Sequence, residues 1–448
     1  MIRLRALFLA TLAVAFLALG ICAQAQVPTL SSKELQQSGR YLGPASCASS
    51  TCHGSVKPRQ AFDVKQNEYF IWSKQDKHSR AYDVLLNERS LVIARNLRLK
   101  GKPSESAECL TCHALVVEQK LQARPLDVTR GVSCESCHGP STGWIAKHME
   151  QGSTHDQSVK AGMTDLRTPA GRAQACLSCH LGDSQRDVNH KLIAAGHPNL
   201  IFELGYYASA MPPHWTAYRD RRQKEGREEA EGARAWAVGQ AVALRGTLAL
   251  LAQRARAGVW PEFAEMDCYG CHHALKEGTW RQRSPRAKLG LSQWSPRGFA
   301  MLRHLVAVFA PEESAALDAG VKQLAQQIAR LSTRGETVAA TATGMIQVMD
   351  RIVQKIGRAP MDDAAIKKLA DLILNDVAYL KEADLQSTLQ AALALNALGN
   401  SLARSNPALP KTDLQKSIDA LYAHVDPPER FDPERFIKQM SQLKRYFK

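Results

Sequence analysis

The sequence predicts a mainly α protein in two parts: short helices and loops around clusters of cysteine and histidine at residues 41–290, then a C-terminal α-helical bundle at 291–448. Three observations predict it. No strand-rich stretch is present. Residues 41–290 hold every Cys/His cluster with many glycines and prolines, a composition of short elements and turns. Beyond residue 291 no cysteine occurs, and apolar residues recur at helical spacing.

The chain opens on a candidate leader. Arg3 and Arg5 make a positive start, Ala6–Ile21 is apolar or small apart from Thr11, and Ala23-Gln-Ala25 fits a small-x-small cleavage site. Residues 1–25 are therefore expected to be a signal peptide cleaved after Ala25, which implies export to the periplasm. The alternative is an uncleaved anchor, for which the stretch is slightly short. A lipid on Cys22 is disfavoured, because Ile21 stands where such signals use Gly or Ala. Residues 26–40 are polar and read as a flexible start.

Five clusters follow, and they use every cysteine other than Cys22. Four have the form C-x-x-C-H: Cys109-Leu-Thr-Cys112-His113, Cys134-Glu-Ser-Cys137-His138, Cys176-Leu-Ser-Cys179-His180 and Cys268-Tyr-Gly-Cys271-His272. This spacing is that of c-type haem attachment. Two thiols add to the two vinyl groups of one porphyrin, and the histidine that follows lies under the ring as the proximal iron ligand. The other cluster, Cys47-Ala-Ser-Ser-Thr-Cys52-His53, has a wider gap. A Cys47–Cys52 disulfide beside an unrelated histidine is its alternative. Structural zinc would need converging C-x-x-C pairs, and a redox dithiol would need one motif in a βαβ setting. Four strict copies with His fit neither, so five haem c groups are expected.

Nine histidines remain as distal candidates. His78, His148, His190, His197 and His214 are favoured. His78 lies in a helix-like segment and His148 ten residues after His138. His190 and His197 bracket Lys-Leu-Ile-Ala-Ala-Gly, and His214 sits in a rigid Pro-Pro-His-Trp turn. For each, a surface or propionate-bonding role is the alternative. His155 lies in a polar loop and could replace His148. His273 adjoins a proximal ligand, so it cannot reach the same iron. His304 is expected to pack or cap on an amphipathic helix, and His424 to be structural.

A long helix is expected at Trp236–Ala257, stopped by Gly258. Its Arg245 and Gly246 argue against a membrane span. The charged run at 219–234 before it reads as a solvated connector or exposed helix face. Four apolar stripes then predict the bundle. They are Leu317, Val321, Leu324, Ile328 and Leu331; Met345, Met349, Ile352 and Ile356, stopped by Gly357; Ile366, Leu369, Ile373 and Val377; and Leu385, Leu389 and Leu393 with Leu402. The methionines have core spacing and are not expected to ligate iron.

The formal charge is +15, of which the leader arginines account for two. Haem propionates would offset much of that excess through charge-assisted bonds to Arg and Lys, so nucleic-acid binding is a poor inference.

The run Gly131-Val-Ser-Cys134-Glu-Ser-Cys137-His138-Gly-Pro140, with Lys77-His78-Ser-Arg-Ala-Tyr and Cys176-Leu-Ser-Cys179-His180, resembles the cytochrome c-554 family over about residues 41–280. That family includes the tetrahaem electron acceptor of hydroxylamine oxidoreductase. The resemblance implies a periplasmic electron carrier with closely packed, largely bis-His haems. It also implies distal roles for His78 and for the histidine after the Cys-His-Gly-Pro cluster. A fifth motif and the C-terminal region depart from it and put the donor and acceptor in doubt. The leading expectation is a soluble electron carrier between redox partner proteins, with no span in the mature chain. A second is an oxidoreductase with one open haem acting on a small nitrogen or sulfur oxide. A third is a subunit docked through its helical region into a larger, membrane-bound complex.

Overall fold

The computed structural model describes residues 39–59, 64–215, 231–258, 260–268, 271–272, 293–296, 298–425 and 431–448. The leader, Cys22, most of the 26–40 start, most of the charged run at 219–234, and His273 lie outside the described residues. Among the described residues helix is the only extended regular structure, joined by two isolated bridges, Tyr41–Gln122 and Met266–Trp294.

The first part is built of short helices: α1 (Glu68–Gln75), α2 (Glu88–Leu97), α3 (Ala107–His113), α4 (Cys134–His138), α5 (Ile145–Met149), α6 (His155–Lys160), α7 (Pro169–His180), α8 (His190–Ala194) and α9 (Leu204–Ala210). Polar caps start them. Thr168 accepts from the Gly171 N–H ahead of Pro169 on α7, Asn189 accepts from Leu192 on α8, and Ser133 with Ser136 forms a capping box on α4. Three of these helices, α3, α4 and α7, end on the histidine of a C-x-x-C-H cluster. One helical turn therefore presents both thiols on one side, and the last residue turns its ring beneath them.

The second part is longer and denser: α10 (Glu231–Arg256), α11 (Phe299–Phe309), α12 (Ser314–Ala329), α13 (Gly335–Arg358), α14 (Asp363–Leu374), α15 (Val377–Glu382), α16 (Leu385–Ser405), α17 (Lys411–Tyr422) and α18 (Pro433–Ser441). Helix α10 is the predicted long helix, begun five residues earlier, and Gly258 follows it at φ +74°. It packs on α13, α16 and α11 of the bundle and on α7 and α9 of the first part. By length and composition its residues Gly232–Arg256 could cross a membrane, yet 83% of the apolar window is buried inside the protein. It is a core helix.

The apolar stripes face inward with four differences. Leu331 is exposed because α12 ends at Ala329. Helix α13 runs through Gly357 to Arg358, so glycine alone does not stop it. Val377 does not continue α14 but opens α15, and Leu389 on α16 is only half-buried. Met345, Met349, Ile352 and Ile356 are buried in α13, as core packing requires.

Candidate metal centres

All ten described cysteines carry free thiols, so Cys47 and Cys52 are not joined as a disulfide. The first cluster is a tight loop, not a helix. His53 N–H donates to the Cys47 carbonyl at 3.1 Å and Gly54 N–H to Ser49 at 2.9 Å. A Cβ on Gly54 would meet the Ala48 carbonyl oxygen at 1.9 Å, so only glycine lets the four-residue gap curl up. At the last cluster, His272 N–H closes onto the Cys268 carbonyl at 2.8 Å.

The rings of the proximal histidines face other histidines. His53 lies opposite His148, with ring centroids 5.9 Å apart and planes 15° from parallel. His180 lies 6.2 Å from His78 at 90°, His138 lies 6.5 Å from His214 at 68°, and His272 lies 6.2 Å from His190 at 28°. His113 and His197 are near enough to repel one another electrostatically. The five favoured distal histidines are thus each beside a different proximal one. His155 instead bonds Asp165 at 2.9 Å and His304 bonds Asp376 at 3.1 Å. Among the described residues no three His, Cys, Asp or Glu side chains converge on one point.

A metal bound to two imidazole nitrogens at about 2.0 Å each holds the ring centroids about 6 Å apart. The four measured separations match that span. The surface around them is also suited to a flat apolar macrocycle. Among the described residues thirteen large apolar side chains are left exposed, and all but Leu331 lie from Val56 to Phe263. The residues present therefore fit haem, which would supply redox-active iron and apolar area to this region.

The imidazoles are prepared as ligands. Burial pushes His138 down to about 3 and His180 to about 4, and it lowers His148, His197 and His214, so these rings stay neutral with a lone pair free. Bonds at Nδ1 leave Nε2 as the free nitrogen on four rings. His113 bonds the Ala81 carbonyl at 2.9 Å and His197 the Pro198 carbonyl at 2.8 Å. His53 bonds Glu68 and His78 bonds Asp76, each at 2.9 Å, and these carboxylates raise the basicity of both rings.

Remote segments hold the centres in place. Buried Glu135, inside the third cluster, accepts from the N–H groups of Leu42, Gly43 and Ser141, tying the approach to the first cluster onto the third. Arg186 donates to the Thr111 carbonyl at 2.9 Å, tying the loop after the fourth cluster to the second. Arg89 and Asn96 on α2 hold the Gly196 and Ala195 carbonyls beside His197. None of these supports was legible in sequence, except that Asp76 stands two residues before His78.

Thiols of different clusters also meet. Cys47 lies beside Cys134, and Cys112 beside Cys179. Cys137 lies within electrostatic range of Cys176 and Cys179. Asn199 Nδ2, two residues after His197, lies 3.8 Å from Cys268 Sγ.

Gly131 sits where His78 meets the third cluster. Its φ is +65°, and a Cβ there would meet the His78 carbonyl oxygen at 2.6 Å, an oxygen that also accepts from Val132 N–H at 3.0 Å. Gly131→Ala is expected to cost about 1–3 kcal/mol. It should displace His78, read as a high-spin component in the spectrum of the holoprotein. An unchanged spectrum would show that the His78 backbone tolerates the shift.

Residues 46–139 match the family model described as cytochrome c554 and c-prime. The match takes in the first three clusters and His78, a shorter stretch than the resemblance read from the motifs. No curated protein and no solved structure matches the chain. The matched residues supply three of the thiol pairs and, in His53, His78, His113 and His138, one histidine of four of the pairs, and over residues 46–139 the chain is similar to this family of c-type cytochromes, which supports a role in electron transfer.

Proposed function

We propose that the chain is a periplasmic electron carrier with five covalently bound haem c groups, each clasped by two histidines. The observation that carries the reading is the facing of histidine rings at 5.9–6.5 Å beside the thiol pairs. The pairs are His53 with His148, His113 with His197, His138 with His214, His180 with His78, and His272 with His190. The two imidazoles of each pair would hold one iron between them, which would suit it for electron exchange and leave no position for a substrate.

The thiol contacts support a spatial order of centres that differs from the order of clusters along the chain: first, third, fourth, second, fifth. Electrons would enter and leave at the two ends, the Cys47/Cys52 and Cys268/Cys271 centres. The carboxylate-bonded rings, His53 and His78, would favour ferric iron and set the lower potentials in the array. The enzyme reading needs one proximal histidine with no imidazole opposite; four of the five have a histidine ring facing them, and His197 is the counterpart we assign to His113. Export through the leader at residues 1–25 supplies the compartment. The C-terminal helices are the candidate docking module for a redox partner or complex.

The test is a haem-to-protein ratio by pyridine haemochrome with an EPR spectrum of the oxidised holoprotein. Five haems per chain are expected, all low-spin and in two classes. Near-parallel imidazole planes would separate in energy the two iron d orbitals that overlap the imidazole π systems, whereas near-perpendicular planes would leave them close. The His53/His148 and His272/His190 centres belong to the first class, the His138/His214 and His180/His78 centres to the second. A ratio of four would remove the Cys47/Cys52 haem. A high-spin signal that shifts with nitrite or nitric oxide would overturn the carrier reading in favour of catalysis.

A further inference from the structure

The fifth centre is assembled from segments far apart in sequence, His190 at the start of α8 and the Cys268–His272 turn. The described approach to that turn has a single 3-10 turn, Phe263–Glu265. The element that joins the two segments is α10.

Arg254, on the last turn of α10, is only 5% exposed. On one side its guanidinium donates to Asp187 through Nε at 3.1 Å and again through Nη2, which also reaches the Val188 carbonyl at 3.3 Å. On the other side Nη1 donates to Glu265, itself 6% exposed. Asp187 stands three residues before His190, and Glu265 three residues before Cys268. Glu262 repeats the link, because its Oε1 accepts from the His190 N–H at 2.8 Å and from the Ala264 N–H at 2.9 Å. The distal and proximal sides of one centre are thus held by a single buried cation. A planar guanidinium can serve two carboxylates lying in different directions, which a lysine ammonium on one stem does less well. Loss of the cation would leave Glu265 buried and unpaired, a costly state that the chain can relieve only by moving the loop.

We propose that Arg254 is a positioning residue for the fifth centre: it fixes the separation of His190 from His272, and so the coordination of the last iron depends on α10 and the bundle packed against it. The inference rests on the five-haem reading and extends it to residues beyond the family match.

The experiment compares holoprotein carrying Arg254→Gln, Arg254→Lys or His190→Ala with the unaltered protein, by haem ratio and EPR. His190→Ala sets the signature of an open fifth iron: five haems, one of them high-spin. Arg254→Gln is expected to reproduce that signature, converting one haem of five and leaving the other four unchanged. Arg254→Lys should convert the same haem only in part. A spectrum of Arg254→Gln identical to that of the unaltered protein would overturn the role of Arg254. If His190→Ala leaves every haem low-spin, the pairing of His190 with the fifth iron fails instead. Should Arg254→Gln not accumulate, Asp187→Asn removes one arm alone. Partial conversion of the fifth haem then supports the proposal, and no conversion overturns it.

Discussion

Produced without haem, with the ten cluster cysteines changed to serine, the chain is expected to lose the structure of residues 39–215 and keep that of residues 298–425. The two parts differ in what fills their interiors. Among the described residues, 39–215 bury thirteen apolar side chains, four of them alanines, whereas α13 and α16 together bury seventeen. Ordering one residue costs about 1–2 kcal/mol of backbone entropy, and burying one large apolar side chain returns about 1.5–3 kcal/mol. Thirteen such groups cannot offset the ordering of so long a segment. Haem faces and thioether links would supply the missing interior, in the way that structural metals and disulfides stabilise small domains. The bundle needs no such help. Limited proteolysis with mass mapping would read the outcome as rapid cleavage across 39–215 and a protected C-terminal helical fragment. Protease resistance across 39–215 in the haem-free protein would show that its polar loops and caps suffice alone.

Trp236→Ala is expected to destabilise the bundle by about 3–5 kcal/mol, the range for removing a fully buried aromatic. Trp236 is 0% exposed, near the start of α10, and is among the largest fully buried side chains. Close contacts beside it leave little room to collapse. The Ala233 N–H donates to Ser401 at 2.9 Å, Arg234 donates to the Ala359 carbonyl at 3.0 Å, and Gly239 abuts Leu204. A cavity should therefore persist. The Trp236 Nε1–H has no partner among the described residues, so Trp236→Phe should cost less than about 1.5 kcal/mol while keeping most of the volume. Such a loss is a large share of the stability of an ordinary domain. Chemical denaturation followed by far-UV circular dichroism would measure both variants. Equal effects of the two would show that the indole N–H, and not volume, carries the contribution of this side chain.

The long helix was legible because its apolar run ends on a glycine whose φ of +74° suits a helix stop. Its true start was not, since Glu231–Arg234 hold two charged residues and a glycine and are still helical, anchored by Ser401 and by the Ala359 carbonyl at the end of α13. Gly357 misled for the converse reason: inside α13 a glycine meets nothing within 4 Å and merely continues the turn. The thiols and proximal histidines are local patterns and read directly. Which distal histidine faces which proximal one is not local. His78 faces His180 and His190 faces His272 only after remote segments have docked. Their supports follow the same rule, with Glu68 fifteen residues from His53 and Arg254 more distant still from His190.

The histidine pairs interleave along the chain. His53 to His148, His78 to His180, His113 to His197, His138 to His214 and His190 to His272 form overlapping intervals with no gap between residues 53 and 272. A haem-carrying part built on these pairs would not be modular. A truncation that ends the chain between residues 53 and 214 would leave at least one iron without its second imidazole, so only the fifth centre could be removed from that end without opening another. During synthesis the same interleaving means that His148 emerges long after Cys47 and Cys52, so the earliest haem would be tethered by its thioethers before its second histidine exists. Homologues that gain or lose a centre should do so at the ends of the span, where the fewest intervals overlap.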